Sequence, residues 1–64
     1  MTINGTNKAL SEQIALSELL CQEGFQAGKV AVELNGEVVP KTAYGTTLIS
    51  ESDKLEVVSF VGGG

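Results

Sequence analysis

Apolar residues alternate in some stretches of this chain and recur at helical spacing in others, and the two patterns predict its elements. Met1 and Ile3 form a short apolar opening, followed by Asn4-Gly5. Asn and Gly both accept the positive φ of a two-residue hairpin turn, so a hairpin is predicted, with Lys8–Ser11 as its return strand. The segment Ile14–Glu23 reads as a helix. Leu16, Leu19, Leu20 and Glu23 stand at i, i+3, i+4 and i+7, which places the leucines on one face. Gly24 occupies the position of a C-capping glycine, and Phe25 is placed to fold back on the helix end. The start of this helix lacks a good cap, because Ala15 carries no acceptor and Ser11 stands too early.

Beyond the helix the period changes to two. Lys29–Leu34 is rich in β-branched residues and nearly alternates, with Val30, Val32 and Leu34 on one face and Ala31 and Glu33 on the other. Asn35-Gly36 is a second hairpin turn, and Glu37–Val39 returns from it until Pro40, which has no N–H for a ladder, stops the strand. Residues 41–50 read as irregular, with a short helical turn around Thr42–Tyr44. Ser52-Asp53 marks another turn. Lys54–Val61 is the longest strand, with Leu55, Val57, Ser59 and Val61 on one face and Glu56, Val58 and Phe60 on the other. Both faces carry apolar residues, so periodicity leaves open which one is buried. Either Phe60 is in the core, or Phe60 and Val58 stand on an open sheet face as a partner interface. The order ββαββ, an irregular stretch and a final β points to one α+β domain over residues 1–61, a mixed sheet of about five strands packed on one helix.

Composition narrows the chemistry. The 64 residues carry four Lys, eight acidic residues and a net charge of −4. The lysines are scattered, so there is no basic track for nucleic acid. His is absent, which removes a His general base, a Ser/His/Asp triad and a His metal site. The single Cys21 forms no internal disulfide and no Cys-based zinc site, and no metal site is expected. A lone thiol fits a reducing compartment, so a cytoplasmic location is expected. No apolar run approaches the ~20 residues of a membrane span, and no membrane partner is expected. Cys21, just after Leu19 and Leu20, reads as a small semi-buried hydrophobe, and nothing near it is cationic enough to activate the thiol. Glu51 and Asp53 read as solvated turn residues.

The chain closes on Gly62, Gly63 and Gly64. Three glycines carry high conformational entropy and neither pack nor cap, so they read either as a frayed end or as a Cβ-free tether. Extended, such a tether spans about 10 Å, enough to carry a terminal carboxylate into a narrow active site of another protein. A carboxylate is a poor electrophile. Adenylation by ATP on a partner enzyme turns it into an acyl donor, and the small protein then needs no catalytic residue of its own.

The block Val30-Ala-Val-Glu-Leu-Asn-Gly-Glu-Val-Val-Pro40, then Glu51-Ser-Asp-Lys-Leu-Glu-Val-Val58, then the terminal Gly-Gly resembles the thiamine-biosynthesis sulfur carrier family (ThiS) across the whole chain. The resemblance implies a ubiquitin-like β-grasp fold and a carrier that is not itself an enzyme. It implies two partners, a ThiF-like adenylating enzyme and a ThiG-like thiazole synthase. It implies no permanently bound cofactor, with ATP used by the partner to activate Gly64. Gly64 is then the residue converted to a thiocarboxylate, Gly63 completes the Gly-Gly motif, and Gly62 belongs to the tether. The first strand is shorter than is usual in the family, and the tail has three glycines where two are usual. The molybdopterin-synthase small subunit, other ubiquitin-like carriers or modifiers, and a plain β-grasp interaction module share parts of this pattern.

Overall fold

The computed structural model describes residues 1–60. The predicted positions Val61, Gly62, Gly63 and Gly64 lie outside the described residues.

Both Asn-Gly pairs adopt positive φ at both residues (51° and 82° at Asn4-Gly5, 53° and 88° at Asn35-Gly36), and each closes a hairpin. The first joins β1 (Thr2–Ile3) to β2 (Thr6–Asn7). The return strand is therefore Thr6–Asn7, not Lys8–Ser11. A two-residue turn pairs the residues that flank it directly, which leaves no room for a later return. The second hairpin joins β4 (Val30–Leu34) to β5 (Glu37–Val39), ending before Pro40 as expected.

The helix α1 covers Leu16–Gln22 and is shorter at its start than its apolar spacing predicts. Ile14–Ala15 instead form β3, paired antiparallel with β6 (Leu48–Ile49), a strand inside the stretch read as irregular. The missing cap explains the boundary. Ala15 makes no side-chain cap bond. The first free helical N–H groups donate across space, Leu16 N to Thr47 O at 2.8 Å and Ser17 N to Tyr44 O at 2.9 Å. The expected helical turn in this stretch forms as a 3₁₀ turn over Lys41–Ala43. At the other end Gly24 has φ 83° and donates to Cys21 O, while Phe25 N donates to Leu20 O. This bond pattern is a Schellman cap, and the Phe25 side chain folds onto the core.

β7 (Lys54–Ser59) is the central strand of a five-stranded mixed sheet ordered β2-β1-β7-β4-β5. It runs parallel to β1 and antiparallel to β4. The helix covers one face of this sheet, and Leu16, Leu19 and Leu20 join Val30, Val32, Ile49, Leu55, Val57 and Tyr44 in a single core. The leucine face predicted from spacing is thus the buried one, and the α+β architecture is as expected.

Two details are not visible in a linear pattern. β1 pairs with β7 only over Thr2 and Ile3, and the Asn4 side chain continues the ladder. Its Oδ1 accepts from Val57 N at 2.7 Å and its Nδ2 donates to Val57 O at 3.1 Å. The carboxylates read as solvated have bonding tasks. Asp53 accepts from Ser50 N at 2.8 Å and from Asn35 Nδ2 at 3.0 Å, and Glu51 accepts from Leu10 N at 2.8 Å.

Two stability measurements check this architecture. Asn4→Gly keeps the turn conformation but removes both side-chain bonds to Val57, and denaturant unfolding is expected to show a loss of about 1–2 kcal/mol. An unchanged midpoint contradicts the ladder role. Leu55→Ala empties a fully buried site, and a loss of about 2–5 kcal/mol is expected. Val58→Ser on the opposite face is expected to cost less than about 1 kcal/mol. Equal losses contradict the assignment of faces.

Candidate functional site

The alternation of β7 decides which side chains face outward. Leu55 and Val57 face the helix and are 0% and 6% exposed, whereas Val58 and Phe60 face away and are 62% and 56% exposed. The ambiguity left by periodicity is resolved: Phe60 is outside the core. Pairing resolves it, because Leu55 stands between Ile3 and Leu34, and both of those residues point inward.

The outer face carries more apolar surface. Ala31 lies directly opposite Val58, and Val38 of β5, opposite Glu33, is 72% exposed. Glu33 and Glu56 stand opposite each other on the same face, farther from the C-terminal end of β7. The face is therefore apolar where the chain approaches its glycines and acidic farther back.

Phe60 is the last described residue before the tail. Its backbone N–H donates to Lys29 O at 2.9 Å, so the antiparallel pairing of β4 and β7 continues up to this residue. Its ring is met by a cation, with Lys41 Nζ 5.4 Å from the ring centroid, within cation–π range. The same ammonium donates to Val30 O at 2.7 Å, and the buried Tyr44 hydroxyl donates to that carbonyl at 3.2 Å. Lys41 and Tyr44 are site neighbours that sequence reasoning missed. Their one sequence signal is their position just after Pro40, where a strand broken by proline leaves a carbonyl of its neighbour unpaired.

The other candidates separate from this region. Cys21 is exposed, not semi-buried, because it falls beside the leucine face of a short helix instead of on it. Among the described residues no group of His, Cys, Asp and Glu could hold a metal ion. No helix among the described residues is long and apolar enough to cross a membrane. The reacting residues expected from the sequence, Gly63 and Gly64, and the tether residue Gly62 lie outside the described residues.

The ThiS family model matches residues 1–64. The crystal structure of a thiamine biosynthesis protein (ThiS) from Geobacter metallireducens superposes with a TM-score of 0.80 at 38% identity, covering 98% of this chain and 96% of that one. The fold shared with it is the ubiquitin-like β-grasp. A ycf40 protein of Pyropia yezoensis is 44% identical over 62 residues, 97% of this chain and 87% of that protein. A thiazole synthase of Paramagnetospirillum magneticum is 42% identical over the full 64 residues, but the chain spans only 20% of that protein's length. A second thiazole synthase, from Magnetococcus marinus, is matched over 19% of its length at 42% identity. With the model match running from Met1 to Gly64 and the β-grasp architecture in place, the chain belongs to the ThiS family.

Proposed function

We propose that this protein is a sulfur carrier for thiamine biosynthesis, whose reactive group is the carboxylate of Gly64. The observation that carries the reading is the whole-chain likeness, in sequence and in fold, to a thiamine biosynthesis protein. The chemistry of the chain supports it: the protein has no His, and its sequence ends in three glycines.

The steps follow from the chemistry of a carboxylate. An oxygen of Gly64 attacks the α-phosphorus of ATP on a ThiF-like adenylating enzyme, and pyrophosphate leaves. The resulting acyl adenylate is an electrophile at the Gly64 carbonyl carbon. A sulfur nucleophile of the hydrosulfide class attacks there, AMP leaves, and the carboxylate has become a thiocarboxylate. A ThiG-like thiazole synthase then takes that sulfur for the thiazole ring. ATP is bound by the partner, not held by this chain. Gly62 and Gly63 let the backbone enter an active site too narrow for a Cβ.

The thiazole synthases that contain a stretch similar to this whole chain support the synthase as a physical partner. Joining a carrier-like stretch to a synthase keeps the two in permanent proximity, as handing a sulfur from one to the other requires. The apolar outer face supplies the contact with each partner that receives the tail, the adenylating enzyme first and the synthase after it, with Val58 and Phe60 as its anchors and Val38 at its margin. The net charge of −4 favours steered association with a basic docking surface.

Deleting Gly63 and Gly64 tests the reading. With the adenylating enzyme of the same organism, the full chain is expected to support ATP–pyrophosphate exchange, and the truncated chain is expected to give only the rate seen without carrier. Thermal unfolding of the truncated protein, expected to match that of the full chain, checks that the domain itself is intact. Exchange that survives the deletion refutes the terminal-carboxylate mechanism.

A further inference from the structure

Pro40 interrupts β5 one residue after its last pair with β4. The pairs Leu34↔Glu37 and Val32↔Val39 fix the register, and the next pair along would join Val30 to position 41. That pair does not form, because Pro40, at φ −67° and ψ 147°, leads into a 3₁₀ turn over Lys41–Ala43 that carries the backbone away. Val30 is 1% exposed, so its carbonyl has little access to water and needs a donor. The Lys41 side chain returns to the place its own backbone has left, and Nζ donates to Val30 O at 2.7 Å. Nζ also lies 3.4 Å from Ala27 O.

The Tyr44 hydroxyl already donates to Val30 O, so that carbonyl keeps a donor without the lysine. Lys41 does something the tyrosine does not. Its ammonium, fixed by a buried carbonyl, stands 5.4 Å from the Phe60 centroid and 5.9 Å from the Tyr44 centroid. Phe60 is 56% exposed and follows the end of β7 as the last described residue, so among the described residues few neighbours order its ring. On the other edge of β4, Lys29 O holds the Phe60 backbone. Two successive carbonyls at the start of β4 are thus held, Lys29 O by Phe60 N and Val30 O by Lys41 Nζ, and the aromatic ring lies against the cation.

We infer that Lys41 is a positioning residue that holds the Phe60 ring in its docking orientation, so that the carrier meets its adenylating enzyme with this anchor already ordered. The inference rests on the sulfur-carrier reading, which brings the adenylating enzyme to Gly64, four residues beyond Phe60. Pre-ordering a side chain at an interface lowers the entropy lost on association, so the benefit belongs to binding and not to the chemical step. Lys41 touches no reacting atom.

The test varies carrier concentration in the ATP–pyrophosphate exchange assay with the adenylating enzyme. Lys41→Met keeps the length of the side chain but removes the charge. It is expected to raise KM for the carrier about threefold to fivefold, the equivalent of one exposed cation–π contact, with kcat unchanged. Lys41→Arg, which keeps a cation over the ring, is expected to restore KM. In a Phe60→Leu background, Lys41→Met is expected to add nothing further, because the ring it orders is gone. A merely structural role at the Val30 carbonyl predicts the opposite: a lower melting temperature, an unchanged KM, and the same Lys41→Met effect with or without Phe60. Either an unchanged KM or full additivity overturns the inference. A second readout needs no enzyme. In the free protein the Lys41 ε-methylene proton resonances are expected to be shifted by ring current and to move on Phe60→Leu, and resonances that do not move overturn the inference as well. Failure of the wild-type chain to support any exchange counts against the carrier reading instead, and leaves the Lys41–Phe60 contact to be judged on the resonances alone.

Discussion

Leu55 stands where the two ends of the chain come together, with Ile3 beside it on one strand and Leu34 on the other. It is fully buried against the helix leucines. A small domain buries only ~60% of its unfolded surface, so one central strand that buries Leu55 and Val57 carries a large share of the stability. Because β7 is flanked on both sides, its register is fixed twice, and a one-residue slip would send Leu55 and Val57 into water. Asn4 extends this control beyond the short β1, its side-chain amide pairing with Val57 as a backbone peptide would.

The same constraint creates the apolar outer face. Once Leu55 and Val57 are inside, parity puts Val58 and Phe60 outside, next to the start of the glycine segment. The domain therefore presents an apolar outer surface at the end of β7, up to Phe60, the last described residue. On the proposed carrier reading, a strand held along both edges is what brings that surface to a partner. The lysine after Pro40 joins the sheet to this face, donating to Val30 O and standing over the exposed Phe60 ring.

Much of this was legible in the sequence, and the exceptions share a cause. The Asn-Gly turns, the leucine face of α1, the Gly24 cap and the β4–β5 hairpin rest on local rules, and each appears where those rules place it. The β3–β6 pair was missed because Ile14-Ala15 continues the helical spacing. What ends the helix at Leu16 is its unfilled cap, together with carbonyls of residues 44 and 47 that lie far away in sequence. The return strand at Thr6–Asn7 was placed too late because polar residues give no apolar signal. Cys21 was expected to be half-buried from its neighbours Leu19 and Leu20, but a helix this short shields only its leucine stripe. Phe60 could not be placed from a strand that is apolar on both faces, and only the pairing with β1 and β4 places it outside. The Lys41–Val30 bond depends on a strand that fails to continue; Pro40 marks the break, but the sequence does not show which side chain returns to the carbonyl.

The central claim is that the last carboxylate of this chain carries sulfur. The most direct measurement is the intact mass of the protein after incubation with its adenylating enzyme, ATP and a sulfide source, followed by fragmentation to locate any change. The account predicts a single species heavier by the difference between one sulfur and one oxygen, with the added mass confined to the C-terminal fragment that contains Gly64. An unchanged mass under conditions in which the enzyme activates its own known carrier, or a mass gain located on Cys21, would contradict it.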